Sequence, residues 1–255
     1  MNELSALGLS PRQEEEWRDF FASGRVFAVP LDRRRVRARL RAAMVVMVIA
    51  VFVLLLAAVT FVAVLVLHIG GPVTVLLLAL LMLAAAIMAL RFGLLRRRLR
   101  IGRGSGDDYL VVSAEGMRIA GHVDVPWTAV IGGVGFDDRG AGVPLLRGPA
   151  AAIERSAGRV QAEFVFGVRG VRALRDGAPH DLRALFEVIE HHGGIRLPLD
   201  TMVDPESVLA SLAAICIAGR RAGVDVEVTA DRSTIYTRTV ALLGPEKTPP
   251  ADGRG

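Results

Sequence analysis

The chain has one lysine, Lys247, and one cysteine, Cys216. A lone cysteine excludes any disulfide within the chain, so a disulfide-stapled scaffold is not available to it. Aromatic residues make up only 5% of the 255 positions although 52% are hydrophobic. The apolar content is also unevenly spread, which points to membrane segments and not to an unusually large core. Positive charge is nearly all arginine; with the abundant Ala, Val and Gly, this reads as the coding bias of a GC-rich bacterium. A net charge of +5 and a pI near 10.4 would suit a nucleic-acid binder. The densest arginines instead flank the apolar block, where a membrane anchor puts them, so no nucleic-acid partner is expected.

The most informative absence lies between Ala42 and Leu90, where there is no Asp, Glu, Lys or Arg. A helix needs about 20 apolar residues to cross a hydrocarbon core about 30 Å thick. Residues 42–67 meet that length, and residues 73–95 meet it if Arg91 snorkels to the interface. His68-Ile69-Gly70-Gly71-Pro72 breaks the run, because proline removes a backbone donor and glycine weakens a helix. The expectation is a two-helix transmembrane hairpin. Arg33, Arg34, Arg35, Arg37, Arg39 and Arg41 precede it; Arg91, Arg96, Arg97, Arg98, Arg100 and Arg103 follow it; the intervening loop has no basic residue. Positive residues stay on the cytoplasmic side, so a multi-pass protein of the cell (inner or plasma) membrane is expected, with both termini cytoplasmic. Some forty hydrophilic residues precede the apolar run, which argues against a cleavable signal peptide. Near an anionic leaflet each basic residue contributes about 1 kcal/mol, so Arg33, Arg34, Arg35, Arg37, Arg39, Arg41, Arg96, Arg97, Arg98 and Arg100 are the candidate anionic-lipid contacts; the competing reading is that they only set topology.

Residues 1–41 form an N-terminal cytoplasmic segment. Ser10-Pro11-Arg12-Gln13 carries the signals of a helix start, with Trp17, Phe20 and Phe21 on an apolar face and Gly24 as a stop. Residues 96–108 read as a basic, glycine-rich linker, 109–243 as a cytoplasmic domain, and 244–255 as a disordered tail. Within the domain, Tyr109–Ser113 and Met117–Ala120 read as strands around a Glu115-Gly116 turn, and Ala162–Val168 as a strand with Phe164, Phe166 and Val168 on one face. Asp181 is placed as the cap of a helix carrying Leu182, Leu185, Phe186 and Ile189 and ending at Gly193-Gly194. Asp204-Pro205 opens a second helix through Val208, Leu212 and Ile215. Val224–Thr229 alternates as a strand, with Thr234–Leu242 as its hairpin partner. Strands first and helices later give an α+β domain with a mainly antiparallel sheet.

The stretch Tyr109-Leu-Val-Val-Ser-Ala-Glu-Gly116-Met-Arg-Ile119, followed by Val125-Pro126-Trp127-Thr-Ala-Val130, resembles the pleckstrin-homology-like (YcxB-like) domains of bacterial two-span membrane proteins. The resemblance covers the hairpin and roughly residues 109–136, and implies a PH-like fold related to lipid- and protein-binding barrels. Beyond Asp137 the sequence departs from that pattern. On its own, Trp127 reads as a core or sheet-edge residue.

Motif-borne chemistry is weak. His191 and His192 are adjacent, point apart on a helix and read as helix-end cations. Cys216 lies in an apolar helix, where a thiol is inert filler. Asp107-Asp108 and Asp137-Asp138 sit beside glycines and read as turn residues. The glycines of Gly132-Gly133-Val134-Gly135 and of residues 102–106 read as turns or linkers, since neither set completes a phosphate-binding loop. No cofactor, no metal site and no enzymatic activity are expected. The expected function is a membrane-anchored cytoplasmic interaction module that binds a protein partner or anionic lipid head groups. The alternative is an accessory subunit of a larger membrane assembly for transport or envelope work.

Overall fold

The computed structural model describes residues 7–69, 71–99, 101, 107–138, 160–189 and 192–244. They form an α+β protein in which two long apolar helices lie toward the N-terminus, after one short helix and strand, and mainly antiparallel sheets with further helices follow. By packing there are two compact units. One is the helix pair from Val36 onward; the other holds the rest of the described chain.

The helix pair consists of α2 (Arg33–Leu67) and α3 (Pro72–Leu99), 35 and 28 residues long. Asp32 caps α2, its Oδ1 accepting the Arg35 amide at 2.8 Å. The break falls where the Gly/Pro signal put it: α2 ends at Leu67, His68 takes φ of +54°, and Pro72 opens α3. Both helices are long and apolar enough to cross a membrane, and only 11% and 6% of their apolar windows are buried. The buried residues of α2 are Val36, Ala43, Ala50 and Ala57, a seven-residue repeat that keeps one narrow stripe on one side of the helix.

In the other unit, α1 (Pro11–Ala22) begins with the capping box its sequence announces, Ser10 and Gln13 bonding each other's backbone. It packs on a later helix, Pro205–Arg221. Then β1 (Phe27–Pro30) joins the first sheet, pairing with β2 (Asp108–Val112) so that Ala28 faces Val111. β3 (Gly116–Ile119) and β4 (Val123–Pro126) complete an antiparallel sheet in the order β1-β2-β3-β4. A 3₁₀ turn at Trp127–Ala129 leads into β5 (Val130–Asp137), the start of a second sheet. That sheet adds β6 (Ala162–Val168), β7 (Phe186–Ile189), β8 (His192–Pro198) and β9 (Asp225–Thr229) in the order β7-β8-β6-β5-β9; β5 and β9 run parallel and its other pairs antiparallel. The helices are α4 (Val171–Gly177), α5 (Leu199–Met202), α6 (Pro205–Arg221) and α7 (Arg232–Leu243).

Helix α6 is the centre of this unit. It contacts β1 and β2 of the first sheet, β9 of the second, and α1. Its residues from Ser211 to Gly219 are all buried, which is why its sequence is apolar all round. Helix α7 covers the opposite face of the second sheet, where Ile235 and Leu242 meet Val134, Phe136 and Val165.

Several expectations are corrected. The helix expected from Asp181 is a 3₁₀ segment (His180–Leu185) followed by strand β7; Gly193 and Gly194 do not stop a helix but lie in β8. A Cβ at Gly194 would stand 1.9 Å from the Phe166 carbonyl oxygen and one at Gly193 2.1 Å from that of Glu187, so only glycine fits between these strands. His192 consequently begins a strand rather than closing a helix, and His191 lies outside the described residues. Thr234–Leu242 is helical, in α7, not a hairpin strand. Gly132–Gly135 belong to the interior strand β5 rather than to a turn. Strand β6 is buried on both faces, not one. Of the linker expected at 96–108, residues 96–99 continue α3 and Asp108 opens β2, while 102–106, like the tail from 245, lie outside the described residues.

Candidate functional site

The arginines flanking the helix pair are the sequence's main candidates, and the structure sorts them. Arg33 is half exposed and is engaged, its Nη2 reaching Asp107 Oδ1 at 3.1 Å. Arg35 and Arg39 are half-buried, and Arg39 has its own interaction partner. Arg96 is half-buried; Arg97 and Arg98 lie in the last turn of α3, and Arg100 is outside the described residues. Arg34, Arg37, Arg41 and Arg91 are exposed, and none has a carboxylate partner among the described residues. Between Asp32 and Asp107 the sequence contains no acid and twelve arginines, whereas the whole chain is only +5. The remainder of the protein is therefore net negative.

A second feature is a groove of about 630 Å³ on the first sheet, with Val26, Val111, Met117, Val125 and Pro126 among its lining residues. Arg118 and Asp124 pair across neighbouring strands at its edge, Nε to Oδ1 at 2.6 Å. The pair raises the guanidinium's pKa, chiefly through the hydrogen bond to Asp124. At the β2–β3 turn the Ser113 hydroxyl accepts the amides of Glu115 and Gly116 and, with the backbone, holds the Glu115 carboxyl below its ordinary range. Trp127 is not in this groove. It is buried, its Nε1 donates to the Ser113 carbonyl at 3.0 Å, and its ring edge lies against Gly219 of α6. A smaller depression, about 360 Å³, separates α1 from the end of α6 and is lined by Glu14, Arg18, Asp19, Arg220 and Arg221. There Arg221 Nη1 donates to the Arg18 carbonyl at 3.2 Å, tying α1 to the core helix.

The buried polar groups are structural. Arg196 of β8 bridges Glu163 of β6 (2.9 Å) and Glu187 of β7 (2.8 Å). Burial alone would lower its pKa, but the two carboxylates outweigh that and raise it. Cys216 is pushed up to about 12 by burial, so it stays a thiol and is not a nucleophile at neutral pH. Tyr109 is fully buried; desolvation first, then the charge of Asp200, raises its hydroxyl pKa. Among the described residues no three of His, Cys, Asp and Glu converge to hold a metal ion.

Sequence reasoning missed β1, the groove and the Arg196 network. β1 is four residues long and carries Pro30, too short for a periodic signal. The network depends on register between strands distant in sequence, which no local pattern encodes. No protein-family model, curated protein or solved structure matches the chain.

Proposed function

We propose that the protein is a membrane-anchored interaction module: α2 and α3 cross the membrane as a hairpin, and the α+β unit works on the cytoplasmic side with both termini. One observation carries this reading. Large side chains along both helices, Phe52 and Leu90 among them at 65% exposure, face outward with no protein cover. In water such a surface would cost about 25 cal/mol per Å²; among lipid tails it costs nothing. The arginine clusters at the outer ends of the hairpin favour placing those ends in the cytoplasm. The residues behind the YcxB-like resemblance build β2, β3, β4 and the Trp127 turn, and a PH-like role for that sheet, presenting its groove to a protein partner or lipid head group, is part of the proposal.

Two measurements on cells producing the full chain test it. The protein should sediment with membranes and resist extraction by carbonate. With Cys216 buried, Ile69→Cys should react with an impermeant maleimide on intact cells, and Ser23→Cys only after lysis. A protein left in the supernatant, or the reverse labelling pattern, refutes the proposal.

A further inference from the structure

We infer that Arg37 and Arg41 form a contact site for the head groups of anionic phospholipids, and that Arg33, Arg34 and Arg35 do not. This rests on the membrane reading above and chooses among the arginines it left equivalent.

The choice follows first from depth. An α-helix rises about 1.5 Å per residue, and the head-group layer occupies about 5–8 Å on each side of a hydrocarbon core about 30 Å thick. With Ala42 at the edge of the core, Arg41 stands about 1.5 Å and Arg37 about 7.5 Å outside it, at phosphate level. Arg34 and Arg33 stand about 12 and 13.5 Å out, past that layer.

Accessibility and pairing narrow the choice further. Arg34, Arg37 and Arg41 are exposed and have no carboxylate partner among the described residues, and depth alone sets Arg34 aside; Arg33 is taken by Asp107, and Arg35 and Arg39 are half-buried. Arg37 and Arg41 are four residues apart, on the same helix face about 6 Å apart at Cβ, a spacing that sets two like charges against each other. With no acid between Asp32 and Asp107, the local sequence cannot relieve that repulsion. A phosphate between the two guanidiniums does, and arginine's planar fork suits it. Topology alone does not account for this, since orientation depends on the number of basic residues near the span and not on depth, face or pairing.

The test uses the purified full-length chain in detergent, incubated with phosphatidylglycerol or phosphatidylcholine, with retained lipid counted by native mass spectrometry. The wild type should retain phosphatidylglycerol about 25-fold over phosphatidylcholine, each of the two arginines contributing about fivefold. The double substitution Arg37→Gln, Arg41→Gln should abolish the preference. Arg33→Gln, Arg34→Gln, which removes the same charge, should keep it. Arg37→Lys, Arg41→Lys should keep most of it and shows that loss in the Gln variant is not misfolding. Equal retention of both lipids by the wild type overturns the inference, as does equal loss in both Gln doubles, which would mean diffuse attraction. A wild type soluble without detergent would instead overturn the membrane reading itself.

Discussion

Helices α2 and α6 are both written in Ala, Val, Leu and Ile, yet they are packed inside out relative to one another. In α6 the large side chains Leu212, Ile215 and Ile217 are buried, sandwiched by the sheets. In α2 the buried stripe is alanine, and the large residues, such as Val59 at 68% exposure, face outward. Water drives large apolar groups together, whereas the lipid tails proposed to surround α2 would offer them an equal environment, so nothing there would force the large residues inward. The difference teaches that an apolar helix is assigned to core or bilayer by which residue sizes it hides, not by how apolar it is.

The comparison can be broken from either side. The largest effect is expected at Phe164, fully buried and stacked on Phe166 with centroids 4.5 Å apart. Phe164→Ala should cost the α+β unit about 3–5 kcal/mol, seen as a fall in its denaturant midpoint in detergent while hydrogen exchange in α2 and α3 stays unchanged. A smaller effect is expected in the hairpin. Ala50→Leu overfills the alanine stripe and should cost about 1–3 kcal/mol, read as faster exchange in α2, whereas Val48→Leu on the outward face should be neutral. If the two substitutions behave alike, the stripe is not a packing seam.

The smallest effect concerns the cap of α7. Asp231 accepts the amides of Ser233 and Thr234 and both hydroxyls, and these bonds, the side-chain ones foremost, depress its pKa. A depressed carboxyl stabilises the fold above its unfolded value near 3.9, and that contribution is lost as pH falls through the lower folded value. The difference in α7 exchange between wild type and Asp231→Ala should therefore be full at pH 6 and narrow steadily below about pH 4.

The hairpin was legible because length and the absence of charge are local properties, and so was its break at the Gly/Pro signal. The β2–β3 hairpin was legible from its Glu-Gly turn. The later elements were not. Leu182, Leu185, Phe186 and Ile189 fit helical spacing, but Val188 and Ile189 serve as a strand because β8 offers an edge to pair with. The threonine-rich run from Thr234 looks like a strand; it is helical because Asp231 caps it and because Ile235 and Leu242 then land on one face over the second sheet. The candidate arginines could be named from sequence but not ranked, since exposure and pairing belong to the fold.

Strand β1 carries a consequence for the order of assembly. It sits beside β2 in the first sheet, yet both apolar helices lie between the two in the chain, and Leu31 N and Asp107 O meet at 3.0 Å where the excursion begins and ends. During synthesis the early strand must wait, unpaired, until the whole hairpin has been made and the chain has come back. Closing this sheet is then a checkpoint: a hairpin that fails to return leaves β1 and β2 as bare edges, open to the wrong neighbour.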